Sequence, residues 1–319
     1  LHETASPRAH YAGLAQSASR SSVISRLRIQ HETIYTYPHP VSFGEWRLMM
    51  RPIDSHSIRV LDATLVLSPP GETRWTSDAY SNSVCHFTPG ASSNVLSVIS
   101  TLLIERYPKP LRDVEHVAPL IPVGAMAPPV IYSDADAAVL APYIRPVYAE
   151  HPVHTAWLRT LQRQLGDTAL DVLLRLNRAI HDQFSYGARD EYGTQTPAET
   201  IGRRAGTCRD FAWLMIESVR RWGFAARFVT GYLYSPGHDG IRGAGATHAW
   251  CEVFLPDLGW LEFDPTNGLS ESPDLIRVAA TRTPAEASPM LGAVFGDVQA
   301  TMQVFVSVSL DNSPAPMAV

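Results

Sequence analysis

From about Val23 the chain alternates apolar and polar positions with a period of two. In RLRIQHETIYTY, Leu27, Ile29, His31, Thr33 and Tyr35 fall on one side, the pattern of a half-buried β-strand. LDATLVLSPP and NVLSVISTLLIERYP add short β-branched runs stopped by prolines, and no helical period appears before about Tyr107. Residues 23–115 therefore read as an antiparallel, all-β, sandwich-like domain. Ahead of it, residues 1–22 are rich in Ser, Ala and Arg without periodicity and read as a flexible tail. Behind it, residues 116–152 form a proline-rich connector, interrupted by SDADAAVLA, a short helix for which Ser133 is the cap.

Beyond that connector the period lengthens to that of a helix. Helices are expected over 153–165 and 168–184. In the second, Leu170, Leu173, Leu174, Asn177, Ile180, His181 and Phe184 share a face behind a Thr168 cap. Thr196 before Pro197 marks another helix start. In AGTCRDFAWLMIESVRRWG, Phe211, Leu214, Met215, Ser218, Val219 and Trp222 make one stripe of a helix that Gly223 ends. Strand patterns return in FAARFVTGYLY, HAWCEVFL and WLEFD, the last two joined by the turn PDLG. Residues 153–319, with their C-terminal strands, are expected to form a second domain, so the fold class is α+β.

Composition adds limits. The chain has 319 residues, 45% hydrophobic and 18% charged, as expected of two folded globular domains. Its net charge of -5, without a long Lys/Arg block, argues against a nucleic-acid partner. No run of about eighteen apolar residues is present to cross a membrane. The first twenty residues lack the apolar core of a signal peptide. Three cysteines, at 85, 208 and 251, are too few and of the wrong parity for a disulfide framework, and a reducing cytoplasm is expected. Nothing in the pattern specifies an oligomeric state.

The chemistry centres on Cys208. It stands in the first turn of its predicted helix, where unpaired amides and the helix dipole favour a thiolate and offer donors to an oxyanion. Gly206 leaves room for a substrate carbonyl, and Thr207 is placed to cap the helix. A thiolate nucleophile needs a base, and the base needs an orienting acceptor. His248 opens one strand of the PDLG hairpin and Asp264 ends the other, so the two lie near the same end of the hairpin. Asp210 reads as a partner of the helix dipole. Cys251 lies on the strand face opposite His248 and reads as a packing thiol.

GTCRDFAWL, THAWCEVFLPDLGW and FDPTNG resemble, in that order, the Cys/His/Asp core of the transglutaminase-like superfamily, whose members are mostly described as cysteine proteases. RLRIQHETIYTYPHPVS and RLMMRP resemble the start of the N-terminal β domain of its bacterial branch, and the likeness spans roughly residues 23–310. The resemblance implies a papain/transglutaminase-like core, a nucleophile helix packed on an antiparallel sheet. It implies Cys208 as nucleophile, His248 as base and acid, and Asp264 as the residue that orients the imidazole. It also implies a peptide or protein substrate with an amide or isopeptide bond, opened through a thioester. Transfer of the acyl group to an amine and a non-catalytic binding role stand as alternatives. Tyr186 is a candidate oxyanion donor, Arg209 a candidate ligand for a substrate carboxylate, and Trp250 a candidate wall of the cleft. Neither Cys85–His86 nor His151/His154 has a second pair at metal-ligand spacing, and no phosphate-binding glycine motif occurs, so no metal and no cofactor are expected. The glycine-rich run 235–246 is expected to border the cleft.

Overall fold

The computed structural model describes residues 25–107, 130–162, 168–187, 193–235, 242, 246–296 and 299–311. The 1–22 tail, the first part of the connector, the end of the helix expected at 153–165 and most of the 235–246 run lie outside the described residues.

β1 (Ser25–Leu48), β2 (Ile58–Ser68), β3 (Gly71–Ser77), β4 (Ser83–Pro89) and β5 (Ser93–Arg106) form an antiparallel sheet in the order β2-β5-β1-β4-β3. With 24 residues, β1 is long enough to serve two pairings. Ser25–Thr36 runs beside β5; after a register break before Val41, Trp46–Leu48 runs beside β4. Tyr37, Phe43, Trp46, Cys85 and Phe87 pack with Leu96 and Val98 from the other part of the sheet, which gives the sandwich-like core.

The chain does not leave this domain for good at residue 115. The C-terminal strands, expected to belong with residues 153–319, pair instead with β1: β13 (Met290–Phe295) beside Ser42–Leu48 and β14 (Thr301–Leu310) beside Leu27–Thr36. The physical reason is apolar burial along the flank of β1. Val306 and Val308 extend the layer of Leu27, Ile29, Leu102 and Ile104.

Between the two passes sits the α+β unit. It contains α1 (Asp134–Ile144), α2 (Pro152–Gln162), α3 (Ala169–Gln183), β6 (Ser185–Tyr186), α4 (Pro197–Arg203), β7 (Ala205–Gly206) and α5 (Cys208–Arg221). A five-stranded sheet follows in the order β11-β10-β9-β8-β12, from β8 (Ala225–Leu233), β9 (Thr247–Leu255), β10 (Gly259–Asp264), β11 (Leu269–Ser270) and β12 (Leu275–Thr281). Ser133 and Thr168 cap their helices by accepting the N–H of Asp136 (3.1 Å) and Asp171 (3.0 Å). In α3 the buried set is Ala169, Val172, Leu173, Leu176, Asn177 and Ile180, so the apolar face is turned from the expected one, with Leu170 and Leu174 only partly covered.

The expected single stripe on α5 understates its burial. Every residue from Phe211 to Arg220 is buried, Glu217 and Arg220 included. Those two charges are inside because they pair with each other and with backbone groups. Glu217 accepts the backbone N–H of Val147 and Tyr148 from the connector, while Arg220 pairs with Glu217 at 3.1 Å and donates to the carbonyls of Ala226 and Arg282. The connector thus covers a face that amphipathicity assigns to solvent. Among the described residues no helix is long and apolar enough to cross a membrane.

Candidate active site

The residues between α4 and α5 explain how Cys208 is presented. Asp210, fully buried, accepts the N–H and hydroxyl of Thr207 on one oxygen (2.8 and 2.9 Å) and the N–H of Gln195 on the other (2.7 Å). It therefore ties the loop before α4 to the turn before α5. The first bond of the α5 ladder runs from Phe211 N–H to Thr207 O, so the Cys208 amide lies ahead of it, among the amides a helix leaves unpaired. Cys208 itself keeps 9% exposure.

Gly206 has a different purpose from the one expected. A Cβ there would stand 2.9 Å from Asp210 Cβ and 3.1 Å from a ring carbon of Phe211, so the glycine admits the α5 side chains rather than a substrate. Gly206→Ala is expected to destabilise the protein by about 1–3 kcal/mol through overpacking. It is also expected to slow modification of Cys208; chemical denaturation and thiol alkylation on the same sample check both.

His248 and Asp264 meet as the hairpin geometry requires. His248 Nε2 donates to Asp264 Oδ2 at 2.9 Å, and neither side chain has any exposed surface. Asp264 is held from four directions in all. Thr266 N–H (3.0 Å) and Asn267 N–H (3.4 Å) reach Oδ1, and Asn267 Nδ2 (2.8 Å) joins His248 at Oδ2. Burial raises its pKa, but His248 and these donors outweigh burial and hold the carboxyl below its ordinary range. For His248, burial lowers basicity; the charge and hydrogen bond of Asp264, together with Cys208, overcome it and lift the pKa to about 10. With Nε2 committed to Asp264, Nδ1 is the nitrogen left to face Cys208, and it is buried without any other hydrogen-bond partner among the described residues.

Asn267 was not among the residues singled out from the sequence. The signal was present in Asp264-Pro265-Thr266-Asn267-Gly268, an Asx-type turn in which the aspartate accepts the N–H two residues on, closed by Gly268 at φ 66°. α3 supports this turn, with His181 Nδ1 2.9 Å from Thr266 O and Asn177 Nδ2 donating to Leu269 O at 2.9 Å. Arg242 closes it from the other side: its N–H donates to Asn267 Oδ1 at 2.9 Å and its carbonyl accepts Asn267 Nδ2 at 3.2 Å.

The remaining candidates separate. Tyr186 reaches the site, since β6 pairs with β7 at Tyr186–Gly206 and its ring lies edge-on to Phe211 at 6.4 Å. Burial raises its hydroxyl pKa, and the charges of Cys208 and Asp264 add to that, which puts the hydroxyl within their field. Arg209 turns elsewhere: it donates to Pro284 O at 2.7 Å and to Thr194 Oγ1 at 3.4 Å, over the face of Phe228, and so serves packing rather than a substrate carboxylate. Trp250 walls no open cleft. Alternation puts it on the His248 side of β9, where it is wholly buried with Val229, Leu233 and Leu275 and stacked on the imidazole at 5.9 Å and 26°. Cys251 packs in the α5 core with its thiol on Phe263 O, and Cys85 lies in the β domain.

Residues 158–265 match the transglutaminase-like superfamily core, and residues 27–105 match the bacterial transglutaminase-like N-terminal region. An uncharacterized protein of Mycobacterium tuberculosis is 28% identical over 314 residues, which cover 91% of this chain and 93% of that protein. A protein-glutamine gamma-glutamyltransferase of Pseudomonas aeruginosa is 32% identical over 100 residues, covering 28% of this chain and 14% of its own. Among solved structures, that of a candidate cysteine protease from Cytophaga hutchinsonii superposes with a TM-score of 0.69 at 20% identity, over 93% of this chain and 95% of that one, and shares the fold.

Proposed function

We propose, for a chain that belongs to the transglutaminase-like superfamily, that it is a cysteine-dependent hydrolase of amide or isopeptide bonds in peptides or proteins. One observation carries this reading: the buried His248–Asp264 pair, 2.9 Å apart, whose free nitrogen is left to the cysteine at the start of α5. With its pKa near 10, His248 holds its proton through the neutral range and stands as a cation beside the Cys208 sulfur. The thiolate attacks the carbonyl carbon, and the negative oxygen that forms is received by the Cys208 N–H and the Tyr186 hydroxyl. His248 passes its Nδ1 proton to the departing amine, which leaves a thioester. Water then gives a proton back to Nδ1 as it attacks, and the carboxylic product departs from sulfur. Asp264 stays ionised throughout and keeps the ring oriented.

A second reading has its own observation, the local likeness to a protein-glutamine gamma-glutamyltransferase. There a primary amine, rather than water, takes the thioester. The two readings share every residue up to that point. Peptide and isopeptide substrates incubated with and without a free amine, with products weighed by mass spectrometry, separate them. Hydrolysis gives the free acid in both conditions. An amide product that grows with added amine establishes transfer, and absence of cleavage across all of them counts against both.

A further inference from the structure

We propose that the N-terminal β domain completes the catalytic site, with Arg106 holding Glu262, Glu262 holding the Trp250 indole, and Trp250 fixing the plane of the His248 ring. This rests on the roles given above to Cys208 and His248. Arg106, Glu262 and Trp250 are positioning residues in it, acting only through His248.

The need for Arg106 follows from the register of β9 and β10. Glu252 and Glu262 stand directly opposite each other, an unfavourable pairing of like charges made worse by burial to 3% and 6% exposure. Glu252 takes its counter-charges from inside the α+β unit, from Arg227 and Arg277. Glu262 faces Arg106, 3.8 Å away, the last residue of β5 and so a part of the β domain. The same guanidinium donates to Ser57 O in its own domain (3.1 Å) and to Ser272 O in the other (3.3 Å), so it stands astride the domain boundary.

From Glu262 the path to the catalytic histidine is short. Its other carboxylate oxygen accepts the Trp250 indole N–H at 3.3 Å. The far edge of that indole lies over Gly231, where a Cβ would come within 2.9 Å of the ring. Held at both ends, the indole presents its face to His248, where a π-face also favours the protonated imidazole. The ring plane matters because His248 must aim Nε2 at Asp264 and Nδ1 at Cys208 together. The groups that face it are Asp264, Cys208 and Trp250, with the Tyr186 hydroxyl in the same field. Without Arg106, Glu262 has somewhere to go: a cavity of about 350 Å³ between the two units is lined by both residues, together with Glu252 and Arg277. A carboxylate that loses the Arg106 guanidinium can rehydrate there and release Trp250.

The test reads iodoacetamide labelling of Cys208 by peptide mass, as a function of pH, in the full chain. Arg106→Met and Trp250→Phe are each expected to move the acid side of the profile upward, lowering labelling near pH 6 about tenfold, the equivalent of one pKa unit. Arg106→Lys is expected to retain most of the rate. Arg106→Met/Glu262→Gln is expected to recover it, because an amide still offers Trp250 an acceptor and has no charge to neutralise. Trp250→Phe lies outside the domain boundary and keeps the test open should Arg106→Met fail to fold. Profiles like that of the unmodified protein in both Arg106→Met and Trp250→Phe, or a double variant no better than Arg106→Met, would overturn the coupling. If Cys208 in the unmodified protein labels no faster near pH 6 than Cys85 and Cys251, the reading of Cys208 fails, and this inference falls with it.

Discussion

Cys208→Ala is expected to abolish turnover while leaving the fold in place. The thiol is the nucleophile proposed at the start of α5, and the cap hydrogen bonds are made by Thr207, Gln195 and Asp210. Asp210 organises the turn through Thr207 and Gln195, with hydrogen bonds that do not involve the sulfur. Loss of a nucleophile removes about 10⁶ in rate where the residues act as a unit. Removing one small, nearly buried side chain is expected to shift stability by no more than about 2 kcal/mol. Rates on any substrate that the unmodified protein cleaves, with a denaturation curve for each variant, test both halves. Retention of more than a few per cent of the rate removes Cys208 from its role.

His248→Ala is expected to lose nearly as much activity and, unlike the cysteine variant, to lose stability as well. It leaves Asp264 wholly buried with its amide donors but no counter-charge, a loss of about 3–5 kcal/mol. The pH dependence of stability follows from the direction of the His248 shift. A folded-state pKa lifted to about 10 means that the pair stabilises fully below the ordinary histidine value of about 6.5 and that this stabilisation fades as pH rises through 10. Asp264→Asn preserves the shape but removes the charge. Burial, the largest influence on His248, is then opposed by Cys208 without the Asp264 charge and pulls its pKa down, so this fading weakens in the variant. Urea denaturation near pH 6, 8 and 10 compares the slopes. A flat profile in the unmodified protein would show that the imidazole is not held as a cation. Activity in Asp264→Asn is expected to fall less than in His248→Ala, since a side chain of the same shape remains to orient the ring.

The parts of the site that were legible in the sequence are those whose signals are local. Cys208 lies one residue past a cap-forming threonine at the head of a periodic run, and His248 and Asp264 sit at matching ends of a hairpin whose turn is written in PDLG. Their meeting follows from strand geometry. Long-range placement left no such mark. β14 pairs with β1 across a separation of some 280 residues, and nothing in TMQVFVSVSL says which strand it will join. Glu217 and Arg220 look solvent-facing on the helical wheel because their partners are backbone groups of the connector and of β8, which patterning does not register. Arg106 reads as the charged end of an apolar strand, and only the fold reveals Glu262 opposite it. Gly206 shows the same gap at close range: the tight contact with Asp210 and Phe211 depends on how α5 is cocked against β7, not on the order of residues.

The central claim, that Cys208 carries the acyl group, is tested most directly by trapping the intermediate. The protein is mixed with a cleaved peptide or isopeptide substrate, quenched in acid within the first turnover, digested and weighed. The expected result is an acyl adduct on the peptide that contains Cys208, absent in Cys208→Ala, removed by hydroxylamine as a thioester is, and persisting longer in His248→Ala if any forms at all. Turnover that continues with no adduct on Cys208, or an adduct that maps to Cys85, Cys251 or a hydroxyl, would contradict the account.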